Sequence, residues 1–580
     1  MSNRLQLKDL RWMLPASFAW SLLWFVPLFQ RTRQEGHGYF ESLSQMFFVQ
    51  ENPELLVGKG VDLIGSFWMV AQVQKMVLEG QSTKLAGMYA PFGFDLGENT
   101  GFAWFDALLA VPLAEWLGIP GFWNLHVLAV CTLSVFGLML LFRSIRLPIF
   151  LVIPFAFLCF TNPFMVDELN LGRPTQIAIW PLAIVMAIFV RIQDSGFSPV
   201  WGGIAGVFMA LGCLTYWFTG IAVGVCMGLL FLWCIVQQKS YKKGLLFACA
   251  AILSACAIIL PLTWRMTSRL FSGRTRHTYT KLLGDPSHTY DWLGLSLQTE
   301  YTVSSWSELQ YVFKASCQHP VFFALIIVCA LLSYGRKDKR PWFWLWFFTL
   351  GMSLSSGLKI FSVHLPTGLA LLEWVFPPML RCQFEGRNVV VANMIGFVVV
   401  ALTFRAFLNY QTSVQRRQWL VSIASVVGLG YAIYLLPQPA TLNVTAFSPA
   451  FEQALALKKA PGAILDIPLA VSNYVYVHQL YHEQPMFGGM GFDTVRPSRH
   501  LTYTQNHPGI QAIERLQRSG IVRTPLRRNE SQSLLDDGFR WMVVHAKYTA
   551  FSKADWTRFF GLAPISVEDD QVWLFDLDKK

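Results

Sequence analysis

Long apolar runs, each close to the roughly 20 residues a helix needs to cross the hydrocarbon core of a bilayer, recur along most of this 580-residue chain. They constrain the fold more than any other feature. Backbone groups in lipid must be satisfied within the segment, so such runs are read as helices. With that ruler, spans are predicted near 12–29, 121–142, 147–165, 177–192, 200–216, 218–236, 244–264, 319–335, 341–357, 388–408 and 419–437, about eleven in all. Composition agrees: 54% of residues are hydrophobic and only 14% charged, too apolar for an ordinary soluble protein. The basic start and first apolar run resemble a signal peptide, but no small-residue cleavage site follows before Arg31, so the run is read as an uncleaved first span.

Orientation follows from short basic loops. If Arg4, Lys8 and Arg11 are cytoplasmic, then Arg143 and Arg146, Arg191, "QQKSYKK" 237–243, "RKDKR" 336–340 and "QRR" 415–417 fall on that same side. An odd span count then places the long loops 30–120, 265–318 and 358–387, and everything after Leu436, on the extracytoplasmic face. The net charge of +11 is scattered among these clusters and makes no basic face for nucleic acid. The ten cysteines form no CxxC pair, and the histidines show no metal-ligand spacing, so no zinc site is expected.

Two domains are expected, a membrane bundle over 1–436, with its first outer loop at 30–120, and a small soluble α/β domain over 437–580. The tail is cysteine-free and opens on "PQPATLN". Strand-like runs 462–469, 540–546 and 572–577 alternate there with helical stretches 448–459 and 509–519.

The first outer loop contains "GKGVDLIGSFWMVAQVQKMVLEG", whose apolar residues recur near helical spacing with Gln72, Gln74, Lys75 and Glu79 between them. An amphipathic helix on the outer membrane surface is predicted, with Asp62 at or near its N-cap, where a carboxylate suits the helix dipole. After an "APFGFDL" turn comes a second apolar helix, in which Asp106 reads as a cap, and then the second span. This order of span, outer loop with an acid heading a helix, turn, second helix and span resembles the GT-C glycosyltransferases, polytopic membrane enzymes that take sugars from polyprenyl-phosphate carriers. "TNPFMVDELNLGRPTQIAIWPLAI" 161–184 looks like their second outer loop, "FPPMLRCQFEGRNVVVANMIGF" 376–397 like the arginine-bearing approach to a late span, and "GAILDIPL", "QPMFGGMG", "RWMVVHAK" and "DDQVWLFDL" like the outer tail of bacterial members.

The resemblance implies a GT-C-like helical bundle in a bacterial inner membrane, a polyprenyl-phosphate sugar donor, a glycan, lipid or protein acceptor, and Asp62 as the base that activates the acceptor. Asp167 and Glu168 would assist, orient the acceptor or hold a divalent cation, the one cofactor considered; their plain reading is a solvated loop tip. Arg265 and Arg269, one helical turn apart on the outer side, and Arg381 and Arg387 flanking a later span, are candidate phosphate ligands or headgroup contacts. The tripeptide of oligosaccharyltransferases (WWD-type) is absent, which argues against protein N-glycosylation. A flippase for lipid-linked glycans and a non-catalytic relative in envelope assembly are the alternatives. Charged residues deep in spans and inverted repeats would favour transport, and the sequence has neither.

Overall fold

The structure is a computed structural model that describes residues 7–34, 55–58, 61–80, 84–85, 87–95, 104–271, 320–336, 339–353 and 389–436, strand segments at 289–290, 296–297, 300–303, 357–360, 363–366 and 441–443, and in the tail 457, 460–469, 479, 482–488, 498–519, 524–567 and 572–580. The bundle comprises α1 (Leu7–Gln34), α2 (Val61–Leu78), α3 (Trp104–Ser144), α4 (Ile149–Phe160), α5 (Pro163–Asn170), α6 (Trp180–Ser195), α7 (Pro199–Thr215), α8 (Trp217–Gln238), α9 (Tyr241–Phe271), α10 (Pro320–Tyr334), α11 (Arg340–Ser353), α12 (Val389–Tyr410) and α13 (Val414–Tyr434). A helix lies beneath each predicted span, wholly or in part. Among the described residues, 5 helices are long and apolar enough to cross a membrane, or 6 if one bent pair counts as a single span. That pair, α4 with α5, occupies the predicted span 147–165. It bends by 58°, where the Asn162 side chain accepts from the Met165 N–H and caps α5.

Basic loops gather at one end of the bundle. Arg143 holds Asp9 at 3.0 Å and donates to the Leu147 carbonyl, Arg146 pairs with Asp194, Gln238 donates to the Ile192 carbonyl, Arg405 to that of Ile145 and Lys339 to that of Leu402. Of these, Arg405 caps the carbonyl end of α3, which is where a cation is favoured. Elsewhere small residues bring helices close. A Cβ on Gly206 of α7 would stand 2.1 Å from the Ala251 carbonyl oxygen of α9, and one on Gly202 2.3 Å from that of Phe247, the small-residue contact by which helices approach in lipid.

At the other end, strand β1 (Leu55–Val57) pairs antiparallel with β2 (Thr441–Asn443). The tail beyond builds a four-stranded sheet from β3 (Ala463–Ile467), β4 (Phe539–His545), β5 (Ile565–Val567) and β6 (Val572–Asp576), in the order β3-β4-β6-β5, with only β3 and β4 parallel. Residues alternate between its faces. Leu465, Met542, Val544, Trp573 and Phe575 face the tail helices α14 (Ser498–Asn506), α15 (Pro508–Ser519), α16 (Arg528–Asp536) and α17 (Lys553–Phe560), while Ile464, Trp541, Val543 and Leu574 join a core that includes α2.

Helix α2 corrects one expectation. Leu63, Ile64, Phe67 and Val70 belong to the bundle core, whereas Trp68, Met69, Val73 and Met76 belong to the core under the tail sheet. A helix apolar on both sides is buried rather than laid on a membrane surface. Its polar residues, read from sequence as a wet face, meet the tail: Gln72 donates to Gln479 Oε1 at 2.7 Å and Lys75 to Glu483 Oε1 at 2.7 Å.

Gly206→Ala is expected to part α7 from α9 and lower the melting temperature of the detergent-solubilised protein, by about 1–3 kcal/mol of stability for overpacking. Gly228→Ala, at a glycine with open space around it, is the control and should leave melting unchanged.

Candidate functional site

The head of α2 is fixed from two directions. Just before it, Val57 donates its N–H to Asn124 Oδ1 at 3.0 Å and accepts at its carbonyl from Trp123 Nε1 at 3.3 Å, both on α3. Gly58 follows at φ 109°, a conformation that favours glycine. A Cβ there would lie 2.5 Å from the Cα of Gly172 and 3.4 Å from the Leu169 carbonyl oxygen. In return, a Cβ on Gly172, itself at φ 70°, would stand 2.4 Å from the Cβ of Leu63. Two loops about a hundred residues apart thus touch backbone to backbone, an approach that the missing side chain of glycine allows.

That contact carries the site. Asp62 is the second residue of α2 and the chain neighbour of Leu63. Its side chain lies outside the described residues. Gly172 closes the turn after α5, which bears Asp167 and Glu168. Asp167 is exposed and Glu168 buried, at 7% exposure. Arg173 donates through Nη1 to both Glu168 carboxylate oxygens, at 3.1 and 3.4 Å. The structure therefore brings the backbone that carries Asp62 against the turn that joins α5, with its Asp167 and Glu168, to Arg173.

The other predicted ligands have side chains outside the described residues. Arg265 and Arg269 fall on the last turns of α9 with side chains outside the described residues, and Arg381 and Arg387 lie outside them altogether. Among the described residues, no group of three His, Cys, Asp or Glu side chains could hold a metal ion. Sequence reasoning passed over Arg173. The available signal was "LGRP", a glycine turn that delivers an arginine five residues after an acid, on the face opposite the basic loops.

Asp106 is not the helix cap expected of it. Its carboxylate is buried at 2% exposure and lies 3.2 Å from Nε2 of His126, buried at 6%. The two sit on opposite arms of α3, which breaks at Gly118 (φ 69°, ψ 161°). Asp95 lies on a two-residue strand, Phe94–Asp95, paired with Lys84–Leu85, and Glu98 lies outside the described residues.

The tail closes over this end. Trp68 Nε1 donates to Gln479 Oε1 at 2.8 Å, and three backbone hydrogen bonds stitch 87–90 to 486–488, from Met486 to Gly87, Tyr89 to Gly488 and Ala90 to Met486. Beneath them His482, at 3% exposure, accepts the Gln484 N–H on Nδ1 at 3.0 Å. Burial pushes its imidazole down to about 3, against a smaller opposing pull from Glu483. A folded-state value below the unfolded one, about 6.5, stabilises fully above that pH and loses the stabilisation as pH falls through the window toward 3.

Two outcomes follow. Acidifying from about pH 7 to about pH 4 should lower the protection factors of amides 482–488, taken against the intrinsic exchange rate at each pH, and His482→Gln should remove that pH dependence; protection factors independent of pH in the unmodified protein would count against the burial argument. Gly172→Ala, strained in φ and in contact with Leu63, should lower thermal stability by about 1–3 kcal/mol, read as a drop in melting temperature.

No protein-family model matches the chain, and no curated protein sequence matches it. Among solved structures, the chain is similar to the arabinofuranosyltransferase AftD from Mycobacteria, at a TM-score of 0.53 and 14% identity, covering 94% of this chain and 35% of that one. The oligosaccharyltransferase of Archaeoglobus fulgidus, crystallised with Zn and sulfate, gives a TM-score of 0.48 at 11% identity over 94% of this chain and 70% of that one. ArnT from Cupriavidus metallidurans, bound to undecaprenyl phosphate, gives 0.44 at 11% identity over 97% of each chain. At such identity the likeness is one of fold. The structural neighbours of this chain are GT-C glycosyltransferases, and it shares the fold of the mycobacterial arabinofuranosyltransferase over 35% of that protein's length.

Proposed function

We propose that the chain is a glycosyltransferase that moves a sugar from a polyprenyl-phosphate carrier to a hydroxyl of a glycan, lipid or protein on the extracytoplasmic face of a bacterial cytoplasmic membrane. The observation that carries this reading is the Gly58–Gly172 contact, which sets the head of α2 beside an acid–arginine loop at the end of the bundle opposite the basic loops. A fold shared with an arabinofuranosyltransferase supports the reaction class. The gathering of basic loops at the other end supports a cytoplasmic N-terminus and an outer tail, with a soluble domain from about residue 437 seated on the first loop.

In the reaction, the Asp62 carboxylate takes the proton of the acceptor hydroxyl while that oxygen attacks the anomeric carbon. The bond from this carbon to the carrier phosphate oxygen breaks, and the phosphate leaves with the electron pair, so the anomeric configuration inverts. A phosphate needs little protonation to leave, but it needs positive charge beside it. Arg173, oriented by Glu168, supplies part of that charge; Arg265, Arg269, Arg381 and Arg387 are the further candidates. Asp167 is left to orient the acceptor or to hold a divalent cation through oxygen.

In nanodiscs supplied with a panel of polyprenyl-phosphate sugars, Asp62→Asn is expected to lower transfer at least about 100-fold, the lower end of what a positioned base contributes, with melting unchanged. Undiminished transfer would remove Asp62 from the mechanism. Arg173→Lys keeps the charge but loses the planar fork, and should raise the donor KM about tenfold.

A further inference from the structure

We infer that Asp106 and His126 are positioning residues, a buried pair that latches the two arms of α3 and thereby holds the strand in front of Asp62. The role rests on the proposed function for its chemical consequence, but not for its geometry. At about 1.5 Å per residue, about 18 Å of helix separates Asp106 from Gly118 and about 12 Å separates Gly118 from His126. A right-angled bend would hold the two residues about 20 Å apart. Their side chains meet at 3.2 Å, so the first arm folds back along the second. Gly118 at φ 69° makes the reversal accessible without fixing its angle.

The pair fixes that angle at a cost in stability. Asp106 Oδ2 and His126 Nε2 are buried without an aligned hydrogen-bond partner, although the two side chains face each other. Polar groups buried in this state cost stability that an apolar pair of the same shape would not. What they add is specificity, because an apolar contact tolerates sliding and a carboxylate–imidazole contact does not.

The second arm shows where that specificity is used. His126 follows Trp123 and Asn124, the two residues that hold both backbone groups of Val57. Its ring stacks on Phe122 at 5.6 Å and lies 6.4 Å from that of Trp123, which in turn meets Phe67 of α2 edge-on at 6.3 Å. Val57 adjoins Gly58, and Gly58 abuts Gly172. A shift of the second arm relative to the first would be passed through two hydrogen bonds to the head of α2.

Hydrogen exchange at residues 55–58 of the full chain in nanodiscs tests this without any sugar donor, so it fails or succeeds independently of the transferase reading. Asp106→Leu with His126→Phe replaces the pair by apolar side chains. Exchange is expected to speed at least about tenfold with melting preserved or raised, approaching the rate of Asn124→Ala, which removes the acceptor of the Val57 N–H outright. Unchanged exchange in a folded double variant overturns the proposal. Should that variant fail to fold, Asp106→Asn, nearly isosteric, is expected to speed the same exchange at least about threefold, and a rate equal to that of the unmodified protein overturns it equally.

Discussion

A helix that is apolar on two sides has to be covered on both, and α2 imposes that requirement on the rest of the molecule. Its Leu63–Phe67 side needs the bundle and its Trp68–Met76 side needs another layer. The tail sheet supplies that layer with Ile464, Trp541, Val543 and Leu574, at a cost in chain entropy that burial of so much apolar surface offsets. Because both faces of β3, β4 and β6 are largely buried, these strands read as nearly unbroken apolar runs. The polar contacts of the seam, Gln479 with Trp68 and Gln72 and the half-exposed Lys75–Glu483 pair, add alignment rather than much energy.

Burying α2 so completely also makes it a rigid mount. Its head is held by hydrogen bonds from α3 on one side and by glycine-to-glycine contact with the α5 turn on another. A residue placed there has a position determined by contacts with two remote segments of chain. This is the kind of support a reacting carboxylate requires, since misplacement of about 1 Å costs orders of magnitude in rate. The same arrangement keeps Glu168 occupied with Arg173, so the loop offers an oriented cation beside the α2 head instead of two uncommitted acids.

Much of this was legible along the chain. The helices followed from apolar run length, their shared end from the basic loops, and the tail strands from short β-rich runs. What escaped had a common cause. Asp106 reads as a cap because caps are local, and its partner His126 lies beyond a helix break whose angle no local pattern encodes. Gln72 and Lys75 read as a wet face because their partners, Gln479 and Glu483, are 407 and 408 residues away. Gly58 and Gly172 each look like ordinary turn glycines until the two turns meet.

The sequence by itself determined that the chain forms membrane-length helices, which of their ends carry positive charge, and that an acid heads the helix over 61–78. Those properties depend on composition over one or two turns and on the fixed geometry of a helix in lipid. Only the tertiary structure decided that this helix is enclosed rather than surface-bound, that its head touches the loop of Glu168 and Arg173, and that Asp106 meets His126. Each of these is a contact between segments remote in sequence, set by which apolar faces find cover and by where two glycines let backbones approach, and neither condition is written in any one stretch of the chain.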